Sequence, residues 1–175
     1  MRRLMLLRHS KAERSVPGGR DRDRTLAERG RNDAPRIGAY LQHHALIPDG
    51  VIASPAARTK ETWELMAQAV GQGPAATFDE RLYNAGPGTI LDVIKETEPE
   101  IRTLMVVGHN PGIQEVAELL IASGDLEARQ RLKEGFPTTG LAIIDFALSD
   151  WDKLHPHSGR LERFVTPRSL VGATD

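Results

Sequence analysis

Four short, nearly continuous apolar runs punctuate the chain: Arg3 to Leu7, Val51 to Ala53, Thr103 to Val107 and Leu141 to Phe146. Runs of this length without polar alternation read as strands covered on both faces. Between the second and third, Trp63, Met66, Ala67 and Val70 fall at i, i+3, i+4, i+7; after the third, Ile113, Val116, Ala117 and Leu120 repeat that spacing. Each segment predicts a helix with one apolar stripe packed on a sheet. Residues 87–98, with Ile90, Leu91, Val93 and Ile94 after a Pro-Gly start, predict another helix, and Arg160 to Val165 a last strand. Residues 25–45 read as helical, with Thr25 and Glu28 as a capping box. Gly30 and Pro35 predict a break there, with a restart near Asn32 or Asp33 that leaves Pro35 in a tolerated first turn.

The order is broadly β-α-β-α with an added antiparallel or edge element. It predicts an α/β fold of three layers, an open, largely parallel sheet with helices on both faces and no large cap. The 175 residues form one expected domain, with the arginine-rich, apolar-poor residues 11–24 as a loop after the first strand and 167–175 as a loose tail. Ligands of open α/β sheets bind beyond the carboxyl ends of the strands, where that loop begins.

Composition narrows the chemistry. With no cysteine, disulfides, thiolate-ligated zinc and a cysteine nucleophile are excluded. Leu4 to Leu7 is too short for a signal-peptide core, and no later run approaches the roughly 20 apolar residues of a membrane span. The expectation is a soluble cytoplasmic protein with no membrane partner. The formal charge of -1 hides an asymmetry: residues 1–36 carry eleven Lys and Arg against five acids. A solvated basic face explains most of these. Without an aromatic-rich basic stripe, and at a pI of about 6.6, nucleic acid is not expected as a partner. A local anion such as phosphate accounts for the asymmetry more economically.

Three of the expected strands end in unusual residues: Leu7-Arg8-His9-Ser10, Ser54-Pro55 with Arg58 close behind, and Gly108-His109-Asn110-Pro111. Ser54 and Asn110 suit helix N-caps, each followed by a proline suited to the first helical position. Arg58 in a first helical turn opposes the helix dipole unless an anion lies nearby. Gly108 is expected to let the backbone approach such an anion. Singly, each residue has a plain alternative: a surface ion pair for Arg8 or Arg58, a satisfied core histidine for His9, a helix cap for His109. Together, two Arg and two His at one sheet edge repel one another unless an anionic ligand joins them.

These motifs resemble those of the histidine phosphatase superfamily, also called phosphoglycerate mutase-like, whose hallmark is an Arg-His pair at the end of the first strand. Ser10 stands where the hallmark usually has Gly. That departure, with Asp21 to Gly30, Ala53-Ser54-Pro55-Ala56-Ala57-Arg58-Thr59 and Val107 to Pro111, is similar to the SixA branch of phosphohistidine phosphatases. The resemblance implies His9 as the phosphorylated nucleophile and Arg8, Arg58 and His109 as the phosphate pocket, with Ser10 as a further candidate phosphate contact. It implies no cofactor and no metal. For the general acid, Glu80-Arg81-Leu82-Tyr83 matches the mutase branch and makes Glu80 the candidate, with a surface ion pair to Arg81 as the alternative. The acid-phosphatase branch has Asp after its second histidine, where this chain has Asn110.

The implied activity is hydrolysis of a phosphoryl group, from phosphohistidine on a protein, with a histidine phosphotransfer domain as one such partner, or from a small phosphate ester. A phosphate-binding module without turnover is the reading from a different class. His43-His44 and His155-Pro156-His157 lack further metal ligands at recognisable spacing, and Gly71-Gln72-Gly73 lacks the companions of a nucleotide loop.

Overall fold

The computed structural model describes the chain from residue 1 to residue 172. Its centre is a seven-stranded sheet. In chain order the strands are β1 (Arg2–Arg8), β2 (Gly50–Ala53), β3 (Ala76–Phe78), β4 (Thr103–Gly108), β5 (Ile121–Gly124), β6 (Leu141–Phe146) and β7 (Gly159–Val165), arranged β3-β2-β4-β1-β6-β7-β5. Strands β3, β2, β4 and β1 run parallel, β6 is antiparallel to both β1 and β7, and β5 is parallel to β7. Six strands therefore share one direction and β6 opposes them, which gives the added antiparallel element a central place instead of an edge. The edge strands β3 and β5 carry weak apolar signals, and neither is legible in the sequence.

Among the described residues six helices cover the sheet: α1 (Glu28–His43), α2 (Ala57–Val70), α3 (Pro87–Lys95), α4 (Gly112–Leu120), α5 (Leu126–Glu134) and α6 (Pro167–Gly172). The two-residue period of the strands decides which helix meets which face. Leu4, Leu6, Leu104 and Val106 join the core formed with Ile90, Ile94, Val116 and Leu132 of α3, α4 and α5. Met5, Leu7, Met105 and Val107 join Ile37, Leu41, Trp63 and Met66 of α1 and α2. Both faces of the central strands are thus fully buried, the reason these strands read as unbroken apolar runs. No helix among the described residues is long and apolar enough to cross a membrane.

The expected break in residues 25–45 does not occur. Helix α1 runs through Pro35, and its N-cap is Ala27, without a side-chain hydrogen bond. Gly30, Asp33, Ala34, Ile37, Gly38 and Leu41 form one buried stripe along it. A helix-interior proline costs roughly 3 kcal/mol, whereas fully burying Ile37 and Leu41 returns about 1.5–3 kcal/mol each, so packing carries the helix past the proline. Gly38 makes that packing possible: a Cβ there would lie 2.6 Å from the Met66 carbonyl oxygen of α2.

The carboxyl-terminal segment also departs from expectation. Residues 167–172 form α6 instead of a loose tail, started by reciprocal bonds in which Thr166 N–H donates to Ser169 Oγ (2.9 Å) and Ser169 N–H to Thr166 Oγ1 (3.1 Å). Leu170 packs against the α1 and α2 side of the core. The rest of that expected tail, 173–175, lies outside the described residues.

Candidate active site

The register of the parallel strands brings three chain ends level. Ala53 pairs with Val107, and Arg8 with Gly108. Ser54 N–H then donates to the Val107 carbonyl (3.0 Å), and His9 N–H to the Gly108 carbonyl (3.1 Å), so the residues leaving β2, β4 and β1 emerge side by side. His9 and His109 lie with ring centroids 5.3 Å apart. Arg58, on the first turn of α2, completes the group. Arg8, His9, Arg58 and His109 line one cavity of about 250 Å³.

The two guanidiniums are held without a carboxylate among the cavity-lining residues. Arg8 donates through Nη1 to the Phe136 carbonyl (2.9 Å), which also accepts from Asn110 Nδ2 (3.0 Å). Arg58 donates to the Asp21 carbonyl (2.9 Å) and carboxylate (3.1 Å). Even so, Arg8 Nε, Arg58 Nε and His109 Nδ1 are buried without a hydrogen-bond partner. Unmatched polar atoms of this kind are rare and costly in a folded protein. Two guanidiniums and two imidazole rings lining one cavity fit an oxyanion that supplies several acceptors at once.

The histidines are tuned toward neutrality. Burial, with a smaller push from Arg58 and Arg8, lowers His9 to about 4. Burial, followed by His9 and Arg58, lowers His109 to about 3. His9 Nδ1 lies 2.7 Å from the Ser10 carbonyl, an acceptor that requires the proton on Nδ1. The lone pair of the neutral ring is then on Nε2, which leaves that atom able to act as a nucleophile or acceptor. His109 Nε2 meets Ser54 Oγ at 2.8 Å.

Other expectations for this region change. Ser10 does not line the cavity: it is fully buried, its N–H donates to Thr62 Oγ1 (2.9 Å) and its hydroxyl accepts from Thr139 Oγ1 (2.8 Å). Its place is behind His9, because its carbonyl is already bonded to the ring and its side chain follows the backbone inward. Glu80 does not line the cavity either. It lies in the single turn Glu80–Leu82 and pairs with Arg22 (3.0 Å), with its side chain 73% exposed. The surface pair with Arg81 does not form; Arg81 bonds Asp79 and Glu96 instead.

Ser54 does not cap α2, whose N-cap is Ala56; its hydroxyl accepts weakly from Ala56 N–H (3.3 Å) and is committed to His109. In α4 the N-cap is Pro111, and Asn110 Oδ1 accepts from Gln114 N–H (3.2 Å). Gly108 leaves room for the Ile113 side chain, 3.1 Å from where a Cβ would be, and not for a ligand.

Several residues of the site escape a sequence reading. Lys11, Arg24, Asn84, Asn110 and Thr138 also line the cavity, and no carboxylate does. Asp21, which is not among the lining residues, is bonded to Arg58, to Arg24 (2.9 Å) and to the Tyr83 hydroxyl. The Tyr83 bond first, then Arg24 and Arg58, lowers it to about 2. Tyr83 packs edge-on against His109, its ring centroid 5.5 Å away. The available signal is the density of charge in Asp21-Arg22-Asp23-Arg24, which marks the loop but not the partner of each residue. Among the described residues no group of three or more His, Cys, Asp and Glu is placed to hold a metal ion.

Residues 4–103 match the model of the histidine phosphatase superfamily (branch 1). An uncharacterized protein of Mycobacterium tuberculosis, Rv1276c, is 35% identical over 165 residues, covering 93% of this chain and 100% of that one. The proposed phosphohistidine phosphatase SixA of Agrobacterium tumefaciens superposes with a TM-score of 0.80 at 32% identity, covering 95% of this chain and 98% of its own. The corresponding SixA structure from Nakamurella gives 0.81 at 28%, covering 95% and 96%. With strands, site and sequence in agreement over nearly its whole length, the chain belongs to the histidine phosphatase superfamily, in its SixA-type branch.

Proposed function

We propose that the protein hydrolyses phosphohistidine on another protein through a phosphoryl-enzyme intermediate at His9, without a metal. The observation that carries this reading is the convergence of Arg8, Arg58 and His109 on one cavity with a neutral, Nδ1-protonated His9. Phosphoryl transfer asks a protein mainly to align the attacking atom and to neutralise the equatorial oxygens. Two guanidiniums meet the second demand, so the step needs no cation beyond them.

In the first half-reaction, His9 Nε2 forms a bond to phosphorus as the bond to the substrate imidazole nitrogen breaks, and that imidazole leaves with a proton taken up from solvent. In the second, water attacks phosphorus, the bond to His9 breaks, inorganic phosphate departs and neutral His9 is restored. The choice of substrate follows from the absence of a carboxylate among the cavity lining residues. Asp21 is held ionised and Glu80 is tied to Arg22 outside the cavity. An alkoxide leaving group needs a proton delivered in the transition state; an imidazole, basic and readily protonated, needs it far less.

Rapid quenching with a labelled phosphohistidine protein, such as a histidine phosphotransfer domain, should trap phosphate on His9. Undiminished turnover by His9→Ala would remove the intermediate from consideration. A substrate panel separates the substrates: a kcat/KM on sugar phosphates above that on phosphohistidine would move the assignment to small esters.

A further inference from the structure

The phosphate cavity does not end at Arg8. Arg8 and Asn110 also line a second, open groove of about 720 Å³ that continues away from it between α5, β7 and α6. Its floor is Phe136 and Phe164, both buried, with ring centroids 5.2 Å apart and set at 61°. Two further cations stand in it, Arg131 from α5 and Arg168 from α6, against one acid, Glu134.

Arg131 is fixed and not a swinging surface side chain. Its Nη2 donates to the Phe164 carbonyl (2.9 Å), and its guanidinium sits 5.5 Å over the Phe164 ring. Among the described residues neither Arg131 nor Arg168 has a carboxylate within ion-pair distance. Glu134 likewise has no ion-pair partner there. A preorganised guanidinium that keeps free N–H groups, beside a second one, suits a planar carboxylate.

We infer that this groove binds the polypeptide around the target histidine and selects an acidic side chain, Asp or Glu, for Arg131 and Arg168. The inference rests on the proposed phosphohistidine reading and narrows it to phosphoproteins with acidic residues close to the modified one. Size favours a polypeptide over a small ester. The phosphate cavity of about 250 Å³ lies below the usual range for a ligand pocket, whereas a groove of about 720 Å³ has room for several residues. The track also extends: Pro137, Thr166 and Arg168 are shared with a further cleft of about 380 Å³ reaching Arg29 and Arg36 on α1.

The test compares two phosphohistidine peptides that differ only in carrying Glu or Gln beside the phosphohistidine, with phosphoramidate as a substrate that has no flanking chain. Wild type should show about tenfold higher kcat/KM on the Glu peptide, mostly through KM, and the preference should shrink as salt is raised. Arg131→Gln and Arg168→Gln should each reduce the ratio of the two kcat/KM values towards one. Arg168 is on the surface, so its variant remains informative if loss of the Arg131 contacts disturbs folding. A wild-type ratio of one or below, or a ratio that Arg168→Gln leaves intact, overturns the groove assignment while phosphoramidate turnover leaves the phosphatase reading standing. No turnover of phosphoramidate or of either peptide overturns both.

Discussion

Arg58 and Asp21 are joined twice, through the backbone carbonyl at 2.9 Å and the carboxylate at 3.1 Å, so the most buried cation of the proposed phosphate cavity is anchored by a loop acid. Asp21 thereby aims Arg58, and its negative charge also opposes the approach of a phosphoryl dianion. Asp21→Asn keeps the backbone contact but removes the charge, leaving the buried guanidinium under-compensated until an anion arrives. Inorganic phosphate or tungstate should inhibit this variant about fivefold more tightly than wild type, while kcat falls as Arg58 loses its aim. Weaker inhibition would mean that Asp21 contributes to anion binding solely by positioning.

Glu80 gives a sharper contrast between substrates. Its carboxylate is exposed and paired with Arg22, a solvent-screened surface interaction that contributes little. Glu80→Gln should therefore change kcat/KM on phosphohistidine by less than about threefold and leave the unfolding midpoint essentially unchanged. A loss of a hundredfold on phosphohistidine would show that the loop moves and delivers Glu80 as the general acid.

How far sequence reasoning reaches depends on where the physical information lies. The central strands are legible because burial on both faces leaves Leu4 to Leu7 and Leu104 to Val107 without a polar position. The edge strand Ala76–Phe78 is half-solvated and three residues long, too little pattern to read. Arg8, His9 and His109 are legible because strand ends fix them in three dimensions, and Arg58 because it follows a strand end within one helical turn. Asp21, Arg24 and Tyr83 are not, since their meeting depends on how a loop and a single helical turn cross above the sheet. Pro35 misleads because local propensity is outweighed by a tertiary stripe.

The pH dependence follows from the two buried histidines. Each is lowered in the folded state, His9 to about 4 and His109 to about 3, from an unfolded value near 6.5. Between those limits the unfolded chain binds more protons, so stability rises with pH and is lost as pH falls from about 6.5. At about 1.4 kcal/mol per pH unit for one proton, His9 alone is worth on the order of 3 kcal/mol between pH 6.5 and 4. Urea unfolding at pH 4.5 and 7.5 should show a smaller difference for His9→Gln than for wild type. Corrected for ionisation of the substrate, the kcat/KM profile should hold down to about pH 4 in the free enzyme, below which protonation removes the lone pair of the proposed nucleophile; a remaining limb near pH 6.5 would contradict the burial of His9.

Behind His9, Thr139 ties three backbone and side-chain groups together. Its N–H lies 3.1 Å from both the Arg8 and the His9 carbonyls, and its hydroxyl donates to Ser10 Oγ. It does so at φ +62, a left-handed conformation that a β-branched residue adopts only under constraint. Local strain is thus maintained where the two ends of the Arg8-His9 pair need support. Thr139→Gly relieves the strain but deletes the hydroxyl, whereas Thr139→Val keeps the strain and leaves the buried Ser10 hydroxyl without its partner, at about 1–3 kcal/mol. The valine variant should therefore be the less stable of the two by chemical denaturation, and both should lose kcat by more than their KM changes, since His9 is less firmly oriented. If Thr139→Gly retained full kcat, the orientation of His9 would have to rest on the backbone N–H of residue 139 and the Ser10 carbonyl, without the Thr139 hydroxyl.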